Sequence, residues 1–177
     1  MIAFDINERE VEAALKRIGE ALTDMTPVMQ DIGELLVFST KERFVAGVSP
    51  DGEPWAPKSQ TTLDAYARRR DPEDPRPLFG PSRRLSSEIH YSASADSVEW
   101  GSSLIYAAVQ QFGAEQGAFG ARMGRTQPSE KRPNPQDYFF PIPWGDIPAR
   151  PFLGLSEDDQ AGILDTVSEW IERLAGA

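Results

Sequence analysis

Apolar side chains recur at Val11, Ala14, Leu15, Ile18 and Leu22, the three-and-four spacing of one helical face. Asn7 and Glu10 ahead of them have the form of a capping box, so the pattern predicts a first helix of about 15 residues. Thr26 followed by Pro27 is a second start signal, because proline at the first helical position gives up only an N–H that has no partner there. Val28, Ile32, Leu35, Leu36 and Phe44 then place an apolar face along Val28 to Val45; Lys41, Glu42 and Arg43 lie near its end, and Gly47 stops it. Two helices with a short link predict a helical hairpin or an L. From Glu88 to Gly101 the period changes to two: Ile89, Tyr91 and Ala93 share one face, Ala95 and Asp96 sit at a turn, and Val98 and Trp100 resume the alternation, which predicts a β-hairpin. Tyr106, Val109 and Phe112 predict one or two helical turns ended by Gly113. Phe139, Phe140 and Ile142 predict a short strand interrupted by Pro141 and Pro143. Ser156 with Asp159 at its third position then caps a last helix whose stripe is Ile163, Leu164, Val167, Trp170, Ile171 and Leu174.

Between these elements the chain is punctuated. Ser49 to Leu63 reads SPDGEPWAPKSQTTL: Pro50, Asp51 and Gly52 make a tight turn, and Trp55 stands between two prolines in a rigid corner. Such a Trp either anchors a partner or plugs the edge of the domain's own core. Thr61 to Arg70 predicts a short helix, and the proline-rich Asp71 to Pro81 a surface excursion beside Arg68, Arg69 and Arg70. Gly113 to Asp137, with four glycines, three prolines and the basic Arg122, Arg125, Lys131 and Arg132, reads as a mobile basic loop that docks on an acidic neighbour such as another copy of the chain. Pro148 and Pro151 hold the backbone extended around Arg150, with Phe152 and Leu153 as apolar anchors. The expected fold is one α+β domain over 1–177: a small antiparallel sheet, or half-open barrel, from the hairpin and strands near 139 to 153. Two N-terminal helices (1–46) and a C-terminal amphipathic helix (in 138–177) pack on it, with long irregular loops between. Residues 47–112 hold the corner, hairpin and short helix, and 113–137 the basic loop.

Composition narrows the function by exclusion. The 177 residues include 15 Pro, 14 Gly and no Cys, which disfavours a pure helical bundle and removes disulfides, thiol nucleophiles and thiolate metal sites. Neither a secretory start nor an apolar run of ~18 residues is present, so a soluble protein is expected. His90, the single histidine, stands on the face opposite Ile89 with no second imidazole or serine motif to work with. Glu157, Asp158 and Asp159 suit the positive end of a helix dipole better than a metal. No catalytic residue, cofactor or metal site is expected.

The net charge of −10 is unevenly spread: residues 1–57 hold 5 basic and 11 acidic side chains, 133–177 hold 2 and 8, and 58–132 hold 11 and 9. Acidic ends flank an Arg-rich centre, an unfavourable layout for free nucleic acid.

The order SPDGEPWAP, a hairpin ending in WGS, YAAVQQFG, and IPARPFLG before an amphipathic helix resembles the phage virion morphogenesis family, the tail-completion proteins of Mu-like and P2-like phages, over most of residues 28 to 175. Many members of that family have a His where this chain has Gln110, so no imidazole role carries over. The resemblance implies a non-enzymatic virion protein acting at tail completion or head–tail joining, as a ring of identical subunits, of six or twelve copies. It would be assembled in the bacterial host cytoplasm and placed in the neck, at the head–tail junction or tail end, against other neck or tail proteins and away from membranes. The basic loops would grip acidic helices of a neighbour, and an acidic inner wall would let DNA pass through the ring without sticking. Expected interface residues are Trp55, Arg68, Arg69, Arg70, Tyr106, Gln111, Phe112, Arg122, Arg125, Arg132, Arg150 and Phe152. The alternative is a nucleic-acid-binding accessory protein that uses the Arg-rich loops.

Overall fold

A computed structural model describes residues 8–72, 74–118, 120–125, 137–141 and 146–176, with side chains described outside the strand segments 121–125 and 137–141. Asn7, Phe119, Arg132, Ile142 and Pro143 lie outside the described residues. Helix α1 spans Glu8–Ala21 and α2 Thr26–Ala46. Thr26 is the first residue of α2 rather than its cap: the Asp24 carboxylate accepts the Thr26 N–H at 3.0 Å, and proline follows where no donor is needed. At the other end Gly47 takes φ 75° and its N–H donates to the Arg43 carbonyl, the left-handed stop that glycine makes without steric cost.

The single buried face expected on α2 is present, and it also takes in Gly33, Thr40 and Arg43. Val28, Ile32, Gly33, Leu36, Thr40, Arg43 and Phe44 are all buried, and at 3.6 residues per turn they share one side of the helix, an arc of roughly 160°. The width of that face is tertiary: α2 packs against both the last helix and the hairpin. Gly33 is small because the Tyr91 ring lies where a Cβ would be, 2.3 Å away. Thr40 satisfies its buried hydroxyl on the Leu36 carbonyl at 2.7 Å.

Helices α3 (Gln60–Arg69) and α4 (Arg84–Ser87) follow, then β1 (His90–Ala93) and β2 (Val98–Gly101). These strands pair antiparallel in the register His90 with Gly101 and Tyr91 with Trp100, and His90 is exposed. Helix α5 covers Ala107–Phe112, β3 Ala121–Arg125, β4 Asp137–Pro141 and α6 Glu157–Gly176. The capping box of α6 forms as its sequence predicts, with Asp159 N–H to Ser156 Oγ at 3.1 Å and Ser156 N–H to Asp159 Oδ2 at 2.8 Å.

The fold is mixed α+β, and among the described residues its β part is two separate two-stranded antiparallel sheets that do not close, so there the sheet is realised and the half-open barrel is not. Part of the segment read as irregular, Ala121–Arg125, is a strand paired with Asp137–Pro141. Conversely, the stretch 146–153 contributes only an isolated bridge, Ala114 with Ile147.

Two apolar clusters divide the core along α2. Val28, Ile32, Leu36 and Trp170, with Met29, Leu35, Val98, Trp100 and Val167 against them, fill the end where α6, with α1 packed on it, meets α2. Phe44, Trp55, Leu78, Phe79, Leu85, Ile89, Ala107 and Phe152 fill the other end. In that second cluster Phe44 meets three rings edge-on or tilted: Trp55 at 5.5 Å, Phe79 at 6.3 Å and Phe152 at 5.3 Å between centroids.

Candidate functional site

The segment 148–154 is extended, yet Pro148 and Pro151 have no N–H and cannot complete a ladder. Its backbone groups are satisfied by side chains instead. Gln111 acts as a substitute strand: its Oε1 accepts the Phe152 and Leu153 N–H groups at 2.9 and 3.0 Å, and its Nε2 donates to the Leu153 carbonyl at 2.9 Å. Trp55 Nε1 donates to the Pro151 carbonyl at 2.8 Å. Arg43 Nη1 donates to the carbonyls of Phe152 and Gly154 at 3.2 and 2.8 Å, while its Nη2 pairs with Asp159 and reaches Ser39 Oγ at 3.1 Å. The seven-residue segment thereby ties together α2, the Trp55 corner, α5 and the start of α6.

Arg150 secures the same segment from the other side. Its backbone N–H donates to the Gln110 carbonyl at 2.7 Å. Its guanidinium donates to the carbonyls of Ala56 and Pro57 at 2.7 and 2.9 Å and to Gln110 Oε1 at 3.4 Å. Burial pulls this guanidinium down from its ordinary range, and three carbonyl-type acceptors compensate a charge that arginine does not give up. Gly113 lets the two strands of chain meet, since a Cβ there would sit 2.7 Å from both Ala149 N and Ile147 O while φ is +72°. Gly113→Ala should therefore destabilise by more than the usual ~1 kcal/mol of a strained left-handed residue, as a fall in the urea midpoint. A change within a few tenths would contradict this close approach.

Asp159 lies 3% exposed beside Arg43. Burial works to raise its carboxyl, but hydrogen bonds from Ser39 and Ser156 and the Arg43 charge together hold it below the ordinary carboxylate range. A second charged cluster flanks the site. Asp74 accepts Arg76 Nε and Nη2 at 2.9 and 2.6 Å and Arg83 Nη2 at 3.3 Å, and the Arg76 hydrogen bonds bring its carboxyl down to about 2. A depressed carboxyl contributes stability that is complete above its unfolded pKa of about 3.9 and is lost as pH falls through its folded value near 2. Asp74→Asn should therefore flatten the stability profile between pH 4 and 2, read as the urea midpoint against pH. An unchanged slope would contradict the assignment.

The structure separates the expected interface residues into two groups. Trp55, Gln111, Arg150 and Phe152 converge on 148–154, and Trp55, Arg150 and Phe152 are buried. These four serve the protomer's own packing, so Trp55 takes the core-plug role weighed for it and the expectation of exposed anchors is corrected at Trp55 and Phe152. Their hydrogen-bonding groups have internal partners, which leaves them no free side chain to offer outward. Arg68, Arg69, Arg70, Tyr106 and Phe112 are exposed. Arg69 pairs with Asp71 at 2.7 Å, and Arg70 caps α3 with φ 58°. Arg122 and Arg125 fall in β3, opposite Phe140 and Asp137. Asp159 is legible in the sequence only as a helix cap and Arg43 only as a charge near the end of α2; their pairing is not. The available signal was position: Arg43 sits one turn from Ser39, among the apolar positions of α2. Sequence reasoning passed over Ile105, which is 95% exposed.

Among the described residues no group of three or more His, Cys, Asp or Glu is placed to hold a metal ion, and no described helix is long and apolar enough to cross a membrane. The arrangement is a clamp with its polar groups satisfied internally. No solved structure matches the chain. At the sequence level it is similar to Mu-like prophage FluMu G protein 2 of Haemophilus influenzae, 25% identical over 175 residues that cover 98% of this chain and 99% of that protein. The model of the phage virion morphogenesis family matches residues 6–172, nearly the whole length that the clamp holds together, and the chain belongs to that family.

Proposed function

We propose that the protein is a non-enzymatic structural subunit that completes the tail and joins it to the head, assembling as a ring of identical copies in the neck of the particle. The observation that carries this reading is the contrast between interior and surface. Inside, the charged and amide side chains around 148–154 hold the chain's own backbone and one another, which is structural work. Outside, large apolar side chains stand in water, among them Ile105, Phe112, Phe38 and Leu164. Exposed apolar groups of this size are the usual mark of contacts made on assembly.

The Arg-rich strip supports this reading over a nucleic-acid role. Arg69 is paired with Asp71, Arg76 and Arg83 with Asp74, and Arg84 with Glu88. A phosphate must displace a carboxylate to reach any of these, which weakens the counterion release that drives backbone binding. Deleting the gene tests the function: full heads with unattached or unfinished tails are expected by electron microscopy, and normal infectious particles would contradict it. Tight DNA binding by the purified chain, falling steeply with salt, would favour the nucleic-acid alternative.

A further inference from the structure

Two apolar faces without a partner among the described residues lie at opposite ends of the protomer. On α1, Ala14, Arg17, Ile18 and Ala21 are half-buried, and Arg17 fixes the helix across the end of α6 by donating to the carbonyls of Leu174 and Ala175 at 3.0 and 3.1 Å. The rest of the helix is left outward: no residue of α1 is buried, and Val11, Leu15 and Leu22 are 50%, 64% and 52% exposed. Their spacing of four and then seven makes one stripe. At α5 (Ala107–Phe112), Ala108 and Phe112 share a face at a spacing of four, and Ile105 stands in the turn just before the helix. All three are exposed, Phe112 by 78%.

These stripes cannot meet within one chain. Helix α1 belongs to the core cluster at the start of α2, and α5, through Ala107, to the cluster at its end. The 21 residues of α2 span roughly 30 Å between them. Two different patches at opposite ends can satisfy each other only between copies, head to tail, and a contact of that kind builds a ring or a filament.

Charge selects the same pairing. The first turns of α1 carry Glu8, Glu10 and Glu12 against Arg9. Beside α5, Tyr106 and Gln110 share a cleft with Lys58 and Arg84, and Gln110 also borders the cleft that holds Arg68 and Arg69. Arg69 and Arg84 are already paired with Asp71 and Glu88, so Lys58 and Arg68 of these clefts are the cations that the acidic first turns of α1 would meet when its apolar stripe is laid on that of α5.

We propose that α1 of one copy docks across the Ile105–Ala108–Phe112 face of the next, and that this is the contact that closes the ring; the proposal rests on the ring reading above. Leu15→Glu and Phe112→Glu each place a charge in the contact while altering only an exposed side chain. Both variants should keep the wild-type circular dichroism spectrum and melt where the wild-type chain melts when diluted to monomers, yet remain monomers by native mass spectrometry at concentrations where the wild-type chain forms rings. Mixed together they should give a one-to-one dimer and nothing larger, because one intact α1 face and one intact α5 face remain. Val11→Glu and Ile105→Glu form a second pair with the same expectation, should either first variant fold poorly. Rings that persist in both members of a pair would overturn the docking proposal and leave the ring reading standing. A wild-type chain that stays monomeric, alone and in particle extracts, would overturn the ring reading itself. Since the chain has no cysteine, Leu15→Cys and Phe112→Cys also report directly: oxidising a mixture of the two should give a two-chain band, absent from either alone.

Discussion

Replacing Arg43 by Met is expected to lower stability by about 3–5 kcal/mol, the range for removing one partner of a buried ion pair. For a chain of this size that corresponds to on the order of 10 °C in melting temperature. The cost comes from what is left behind. Asp159 remains 3% exposed with its charge uncompensated, and the carbonyls of Phe152 and Gly154 lose the guanidinium that satisfies them. Urea unfolding gives the number directly. Arg43→Met combined with Asp159→Asn should lose less than the two single changes together, because the orphaned charge is then absent. A loss below 1 kcal/mol for Arg43→Met would show that the pair is not a structural tie. The same carboxylate links the clamp to pH: held below its ordinary range, it contributes most above the unfolded pKa and progressively less as acid protonates it.

Phe44→Ala is the second large effect, with an expected cost of about 3–5 kcal/mol for deleting a fully buried ring. Phe44 is 0% exposed and contacts Trp55, Phe79 and Phe152 at once, so its neighbours cannot all collapse into the space. Phe44→Leu keeps most of the volume and should cost about 1.5 kcal/mol or less. Near-equal values for Ala and Leu would mean that the cluster relaxes freely. Trp55 fluorescence should report the loosening, since its ring rests against Phe44 and its indole N–H is held by the Pro151 carbonyl.

Local features were legible residue by residue where they obey a local rule. The Gly47 stop, the Ser156–Asp159 capping box and the β1–β2 hairpin each depend on a few neighbouring side chains, and each is present. The prolines of 148–154 were legible as an extended segment, but its partner was not. A strand is the default companion of an extended chain, whereas here Gln111, Arg43 and Trp55 supply the hydrogen bonds from three different elements. No local spacing encodes that. The two stretches that carry the resemblance, YAAVQQFG and IPARPFLG, are in contact: Gln111 of the first holds Phe152 and Leu153 of the second.

The candidate interface shows the same division. Periodicity identifies an apolar stripe on α1 and places Phe112 on a short helix, but it cannot tell whether such a stripe is covered. Composition and local pattern by themselves determined the long helices α2 and α6 with the Gly47 and Ser156 signals at their ends, the hairpin, the absence of cysteine and the acidic flanks, because these follow from backbone preferences and side-chain type over a few residues. Only the tertiary structure decided that Arg43, Trp55, Arg150 and Phe152 are interior while Ile105, Phe112 and Leu15 face water. Burial is a property of what the rest of the chain places nearby, and contacts such as Arg43 with Asp159 join residues 116 positions apart.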